Sequence, residues 1–142
     1  EAAICFRLAI MGFEVYQSVF GGALIDMIIR HHSGDRLLKI QVRSARRGKS
    51  GAPTISLLCS NGRNKLKRMD DSSLDFIVGY DSVSDTAYVF SLNQCRRNTA
   101  MISASNECEE NWEQVVQAAL LADAGGPAFD SPRMHHNPPS TY

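Results

Sequence analysis

Four residues near the start of the chain are of kinds that do chemistry together: Glu1, Asp26, Gln41 and Arg43. Glu1 opens an apolar segment with helical spacing, and Asp26 is the lone carboxylate in the apolar run Ala23–Arg30. Gln41 and Arg43 share one face of the run Arg36–Ser44, because strand side chains two apart point the same way. A carboxylate, an amide oxygen and the main-chain carbonyl of Val42 are hard oxygen donors. Mg²⁺ takes one or two carboxylates and keeps its other positions for water and substrate oxygens. A cation beside such a centre offsets negative charge that grows on a phosphoryl oxygen. The chemistry this set would support is metal-assisted cleavage of a phosphodiester, with Asp26, Gln41 and Val42 as ligands and Glu1 as a second or water-mediated one.

The elements that must position these groups read clearly at the start. Residues 1–11 carry Ile4, Leu8 and Met11 at helical spacing, with Ala3, Phe6 and Ile10 on an adjoining face. That girth calls for cover on two sides. Gly12 is placed to end the helix as a left-handed cap. From Phe13 the period becomes two, which marks a strand up to Gly21-Gly22. Ala23–Arg30 is the next strand, His31–Asp35 a hairpin loop, and Arg36–Ser44 the antiparallel return, with Leu38, Ile40 and Val42 on its core face.

Beyond this, Arg46–Pro53 reads as a basic loop, Thr54–Cys59 as one short strand, and Ser60–Ser73 as polar loop with room for one helical turn. Leu74–Tyr80 and Ala87–Leu92 are two further strands joined by a turn. Asn106 and Glu109 have the spacing of a capping box. They would open a helix with Cys108, Trp112, Val115, Val116, Ala119 and Leu120 as its apolar stripe, ended by Gly125-Gly126-Pro127. The fold class expected is α/β: a mixed sheet of about five strands between an N-terminal and a C-terminal helix, over residues 1–124. Residues 125–142 are rich in Pro and Ser and read as a disordered tail.

With 142 residues and 44 % apolar content, the chain suits one core. Its net charge is zero, yet the basic residues cluster as Arg43, Arg46, Arg47, Lys49 and as Arg63, Lys65, Lys67, Arg68, with acidic stretches after them. Such a basic face can bind a phosphate backbone without net positive charge, or it can be a solvated loop. Cys5, Cys59, Cys95 and Cys108 lack metal-ligand spacing and read as reduced, which suggests an intracellular protein, cytoplasmic or nucleoid-associated. No run is suited to spanning a membrane. His31-His32 and His135-His136 have no third ligand at a useful spacing for zinc. Tyr16 and Tyr80 could stack on bases or pack as half-buried strand residues. The chain does not open on Met, and we expect it to be part of a longer protein.

The series Glu1, Gly12-Phe13-Glu14-Val15, Ile25-Asp26-Met27-Ile28 and Ile40-Gln41-Val42-Arg43-Ser44-Ala45 resembles the PD-(D/E)XK nuclease superfamily. The similarity is greatest to its group I intron-associated endonuclease branch, with the archaeal Holliday-junction resolvases more distant. That branch has Gln where most of the superfamily has an acid, and Gln41 matches it. Leu74-Asp75-Phe76-Ile77-Val78-Gly79-Tyr80 and Ala87-Tyr88-Val89-Phe90 are similar to its last two strands, so the resemblance extends over residues 1–92. Each motif is short; their order and spacing carry the likeness.

The resemblance implies a restriction-endonuclease-like fold and a Mg²⁺-dependent endonuclease acting on DNA, with Mn²⁺ as a substitute and a homo-oligomer, dimer or tetramer, as the working form. Glu1 would be the first-helix acid, Asp26 the metal-binding acid and Gln41 the third ligand. Arg43 stands where the family has its catalytic lysine, with Lys39 four residues earlier on the same face. A guanidinium holds its protons at any working pH, so Arg43 can stabilise charge but cannot be a general base. Leu24-Ile25 also replace the Pro that often precedes the Asp. The alternative is therefore a module of the same fold that binds nucleic acid or mediates assembly without cutting. In either case the two basic clusters would contact phosphates, and binding would weaken steeply with salt.

Overall fold

The computed structural model describes residues 1–18, 25–49, 51–60, 66–68, 74–96 and 100–121. The chain opens with the expected helix, α1 (Ala2–Ile10). Ile4 and Leu8, one turn apart, are fully buried, while Phe6 and Ile10 are 66 % and 69 % exposed. Among the described residues, then, one side of this apolar helix is covered rather than two. Gly12 follows with φ +85°, the left-handed conformation that glycine adopts without strain. A side chain there would also strike the His32 ring, and the Gly12 carbonyl accepts the His32 N–H at 3.0 Å.

Three antiparallel strands come next: β1 (Phe13–Gln17), β2 (Met27–His31) and β3 (Leu37–Ser44), with Val15 opposite Ile29 and Met27 opposite Ile40. The sequence placed Asp26 inside a strand from Ala23; β2 begins one residue after it, and residues 19–24 lie outside the described set. The Asp26 backbone is nonetheless held from both sides. Its N–H donates to the Ile40 carbonyl and its carbonyl accepts the Ser18 N–H, each at 3.1 Å.

The expected basic loop and single strand resolve into shorter pieces: β4 (Arg46–Arg47), β5 (Pro53–Ser56), β6 (Leu58–Ser60) and β7 (Leu66–Arg68). β4 folds back on β5, and β6, which begins in the expected strand, pairs with β7 inside the stretch expected to be loop. After these come β8 (Phe76–Asp81), β9 (Thr86–Ser91), α2 (Leu92–Arg96), β10 (Met101–Ser103) and α3 (Glu113–Leu120). The main sheet has the order β1-β2-β3-β8-β9, parallel between β3 and β8 and antiparallel elsewhere, so it is the five-stranded mixed sheet expected. β10-β5-β4 and β6-β7 form two smaller sheets.

Alternation sorts side chains to the two faces of the main sheet. Ile40, Phe76, Val78 and Val89 meet α1 and α3, together with Ile4, Leu8, Trp112 and Val115. Ile77, Tyr88 and Phe90 point the other way and pack with Ile55, Leu92, Cys95 and Ile102. Four consecutive residues of β8, Phe76 to Gly79, are buried, as suits a central strand covered on both faces.

The helix expected from Asn106 starts only at Glu113, with Trp112 at its N-cap and no side-chain cap. Glu110 is the reason. It takes φ +45° and turns its carboxylate inward, where the Ala87 N–H and the Trp112 Nε1–H each donate to it at 2.7 Å. Arg7 Nε on α1 adds contacts at 3.1 and 3.2 Å. Three donors outweigh what a capping box would offer at Glu109. Cys108 consequently lies before the helix and packs in the second core, and Leu120 is 48 % exposed. The expected tail, 125–142, lies outside the described residues.

Candidate active site

Asp26 sits where β1, β2 and β3 meet. Oδ2 of Asp26 accepts the Val42 N–H at 2.7 Å, which fixes the carboxylate against β3. Gln41 and Arg43 flank Val42 on the opposite face of that strand from Ile40 and Val42. Gln41 is 5 % exposed, and its Oε1 is buried with no hydrogen-bond partner among the described residues. A buried amide acceptor left unpaired costs roughly 1–3 kcal/mol, so Gln41 Oε1 is an acceptor still open to a partner.

The electrostatics point the same way. Burial pushes the Asp26 carboxyl above its ordinary range; the Val42 N–H works against that, Glu1 adds to the rise, and Arg43 opposes it. Glu1 and Arg43 are thus both near enough for Asp26 to feel their charge. Glu1 itself is exposed at the N-cap of α1. Asp26 also lines a cavity of about 310 Å³ with Tyr16, Gln17 and Ile28.

A divalent cation fits these residues. It would satisfy the orphan Gln41 oxygen and relieve the desolvated Asp26 carboxylate, two costs the protein otherwise carries unrequited. Among the described residues no group of three or more His, Cys, Asp or Glu could hold a metal.

The basic residues are placed unequally. Arg46 and Arg47 form β4 and are exposed, as is Lys49 in the following turn. Arg47 Nε donates to the buried Asp81 at 3.0 Å, whereas Arg46 lines a cavity with Arg43. Lys67 and Arg68 belong to β7, and Arg63 and Lys65 lie outside the described residues. Tyr80 bonds Asp85 through its hydroxyl at 2.7 Å and lies under Arg7, while Tyr16 is 53 % exposed. Sequence reading missed Ser44, Thr54 and Ser56, which share the Arg43 cavity. The alternation Thr54-Ile55-Ser56 in a short strand was the available signal for two of them.

No protein-family model matches the chain, and no curated protein matches it. Among solved structures it is similar to a bacterial homing endonuclease, I-Ssp6803I, with a TM-score of 0.71 and 20 % sequence identity over 82 % of this chain and 88 % of that one. The fold is homing-endonuclease-like. This agrees with the architecture expected from the sequence, a mixed five-stranded sheet with a helix at each end. Among the described residues no helix is long and apolar enough to cross a membrane.

Proposed function

We propose that the chain is a divalent-metal-dependent endonuclease domain of the PD-(D/E)XK kind, hydrolysing phosphodiester bonds in DNA. The observation that carries this reading is the buried, unpartnered Oε1 of Gln41 beside the Asp26–Val42 contact. The neighbouring homing-endonuclease fold supports it.

Asp26, the Gln41 amide oxygen and the Val42 carbonyl would hold Mg²⁺, or Mn²⁺ in its place, with Glu1 as an outer carboxylate. When bound, the cation supplies Lewis-acid polarisation of a phosphoryl oxygen and acidifies a water. The Val42 N–H keeps Asp26 oriented. Arg43 neutralises charge on the phosphate as it develops, and its guanidinium can do so through two parallel N–H donors. It keeps its protons throughout, so it stabilises and orients rather than accepting a proton.

A homo-oligomer is part of this proposal, since cutting both strands of a duplex needs two sites. Phe6 and Ile10 on α1, with Leu120 and Leu121 at the end of α3, leave apolar surface for such an interface. Arg43 in place of lysine also favours a second reading, a module that binds DNA without cutting it.

Titration with Mn²⁺, followed by calorimetry, tests the metal site without any turnover. Binding should vanish in Asp26→Ala and weaken in Gln41→Leu. Equal Mn²⁺ binding in all three proteins would remove the proposed ligand set.

A further inference from the structure

Besides the Asp26 site, the described residues form a cavity of about 460 Å³ between the end of β3 and the β10-β5-β4 sheet. Arg43, Ser44, Arg46, Thr54, Ser56 and Met101 line it, and among the described residues no carboxylate does. We propose that this cavity seats a second phosphodiester of the DNA strand, next to the one presented to Asp26 and Gln41. The proposal rests on the nuclease reading and adds the strand's second point of attachment to it.

The donors suit a phosphate and little else. Two guanidiniums give forked N–H groups that match phosphate oxygens. Ser56 Oγ accepts the Leu58 N–H at 3.3 Å, which leaves its own proton to donate. Thr54 Oγ1 donates to the Arg46 carbonyl at 3.0 Å, so it holds β4 in place rather than the ligand. Arg47, one residue on, is committed to Asp81, and Arg46 is the cation β4 brings to the cavity.

The seat is also built on the rigid part of the fold. Arg43 lies opposite Gly79 in the β3–β8 register. The fully buried Ile55 side chain occupies the space a Gly79 side chain would need, and Ile55 stands between Thr54 and Ser56. The packing that seats Ile55 on β8 therefore fixes the distance between the β5 hydroxyls and Arg43. Arg43 belongs to both sites, two residues from Gln41 on one strand face. A polymer with successive phosphates can fill both at once, and a free anion cannot.

The test is fluorescence anisotropy of a labelled DNA duplex across a salt series in chelator, so that cleavage does not enter. Parent protein is compared with Arg46→Gln and with Met101→Trp, which fills the cavity while removing no charge. Melting temperatures verify that both variants remain folded. Arg46→Gln should bind about tenfold more weakly, the loss of a charge-assisted contact, with a log–log salt slope smaller by about one. Met101→Trp should weaken binding likewise. Parent-like affinity and slope in both variants would overturn the seat, and metal-dependent nicking by the same proteins would show that the nuclease reading survives it. Inorganic phosphate that binds the parent tightly and is not displaced by duplex would also overturn it, in favour of a free-anion site.

Discussion

The Val42 N–H and the Asp26 Oδ2 lie 2.7 Å apart, joining the residue just before β2 to the middle of β3. That bond holds the carboxylate against β3 between Gln41 and Arg43, and an amide in its place still offers an oxygen to the Val42 N–H. Asp26→Asn should retain the contact through its side-chain oxygen. Because burial and Glu1 hold the Asp26 carboxyl above its ordinary range, the folded chain disfavours its ionised form at neutral pH. The amide relieves that penalty, so the variant should melt higher in chelator, with a gain of about 0.5–2 kcal/mol, as for other functional-site substitutions. It should also lose metal-dependent cleavage. A melting temperature below that of the parent would show that Asp26 serves the fold rather than a ligand.

Glu110 predicts acid sensitivity. Burial pushes its carboxyl up, but the Ala87 and Trp112 N–H groups and Arg7 outweigh this, and the net shift is downward from 4.5. A carboxylate with a depressed folded pKa adds stability that is fully present above its unfolded value and lost as pH falls through the folded one. Unfolding free energy should therefore decline below about pH 4.5, and Glu110→Gln should flatten the decline. At neutral pH, Glu110→Ala should cost about 2–3 kcal/mol, since buried donors lose a charged acceptor. Urea titrations at several pH values measure both.

Gly79 lies beneath Ile55, and a methyl group there overlaps the Ile55 side chain. Gly79→Ala should destabilise by about 1–3 kcal/mol through overpacking. Adding Ile55→Val should recover part of the loss, which a double-mutant cycle by chemical denaturation would detect.

Arg43 gives the sharpest contrast in activity. Arg43→Gln removes the charge and should lower cleavage about 100-fold, the scale of losing one transition-state donor. Arg43→Lys restores the residue type of the resembled family and should retain or exceed parent activity. Single-turnover rates at saturating metal decide this.

Much of the fold was legible where a single run carried its own pattern. α1, the Gly12 cap, β1, β3 and the β8–β9 hairpin all follow from helical or two-residue spacing. β4, β7 and β10 were not legible, because strands of two or three residues exist only through distant partners, as Met101 does opposite Ser56. The start of α3 was misplaced because Glu110 bonds inward to α1 and β9, contacts that no local window contains. For the candidate site, residue types and order singled out Glu1, Asp26, Gln41 and Arg43. The burial of Gln41 and the cavity beyond Arg43 needed the sheet that covers them.

If Asp26 and its neighbours hold a metal for DNA cleavage, plasmid nicking will reveal it. Supercoiled plasmid is incubated with the protein in Mg²⁺ or Mn²⁺, beside Asp26→Ala and a chelator control. Nicked or linear product should form, and it should disappear with the chelator and with Asp26→Ala. Plasmid that is bound but left intact by parent and Asp26→Ala alike would contradict the endonuclease reading and leave a DNA-binding module in its place.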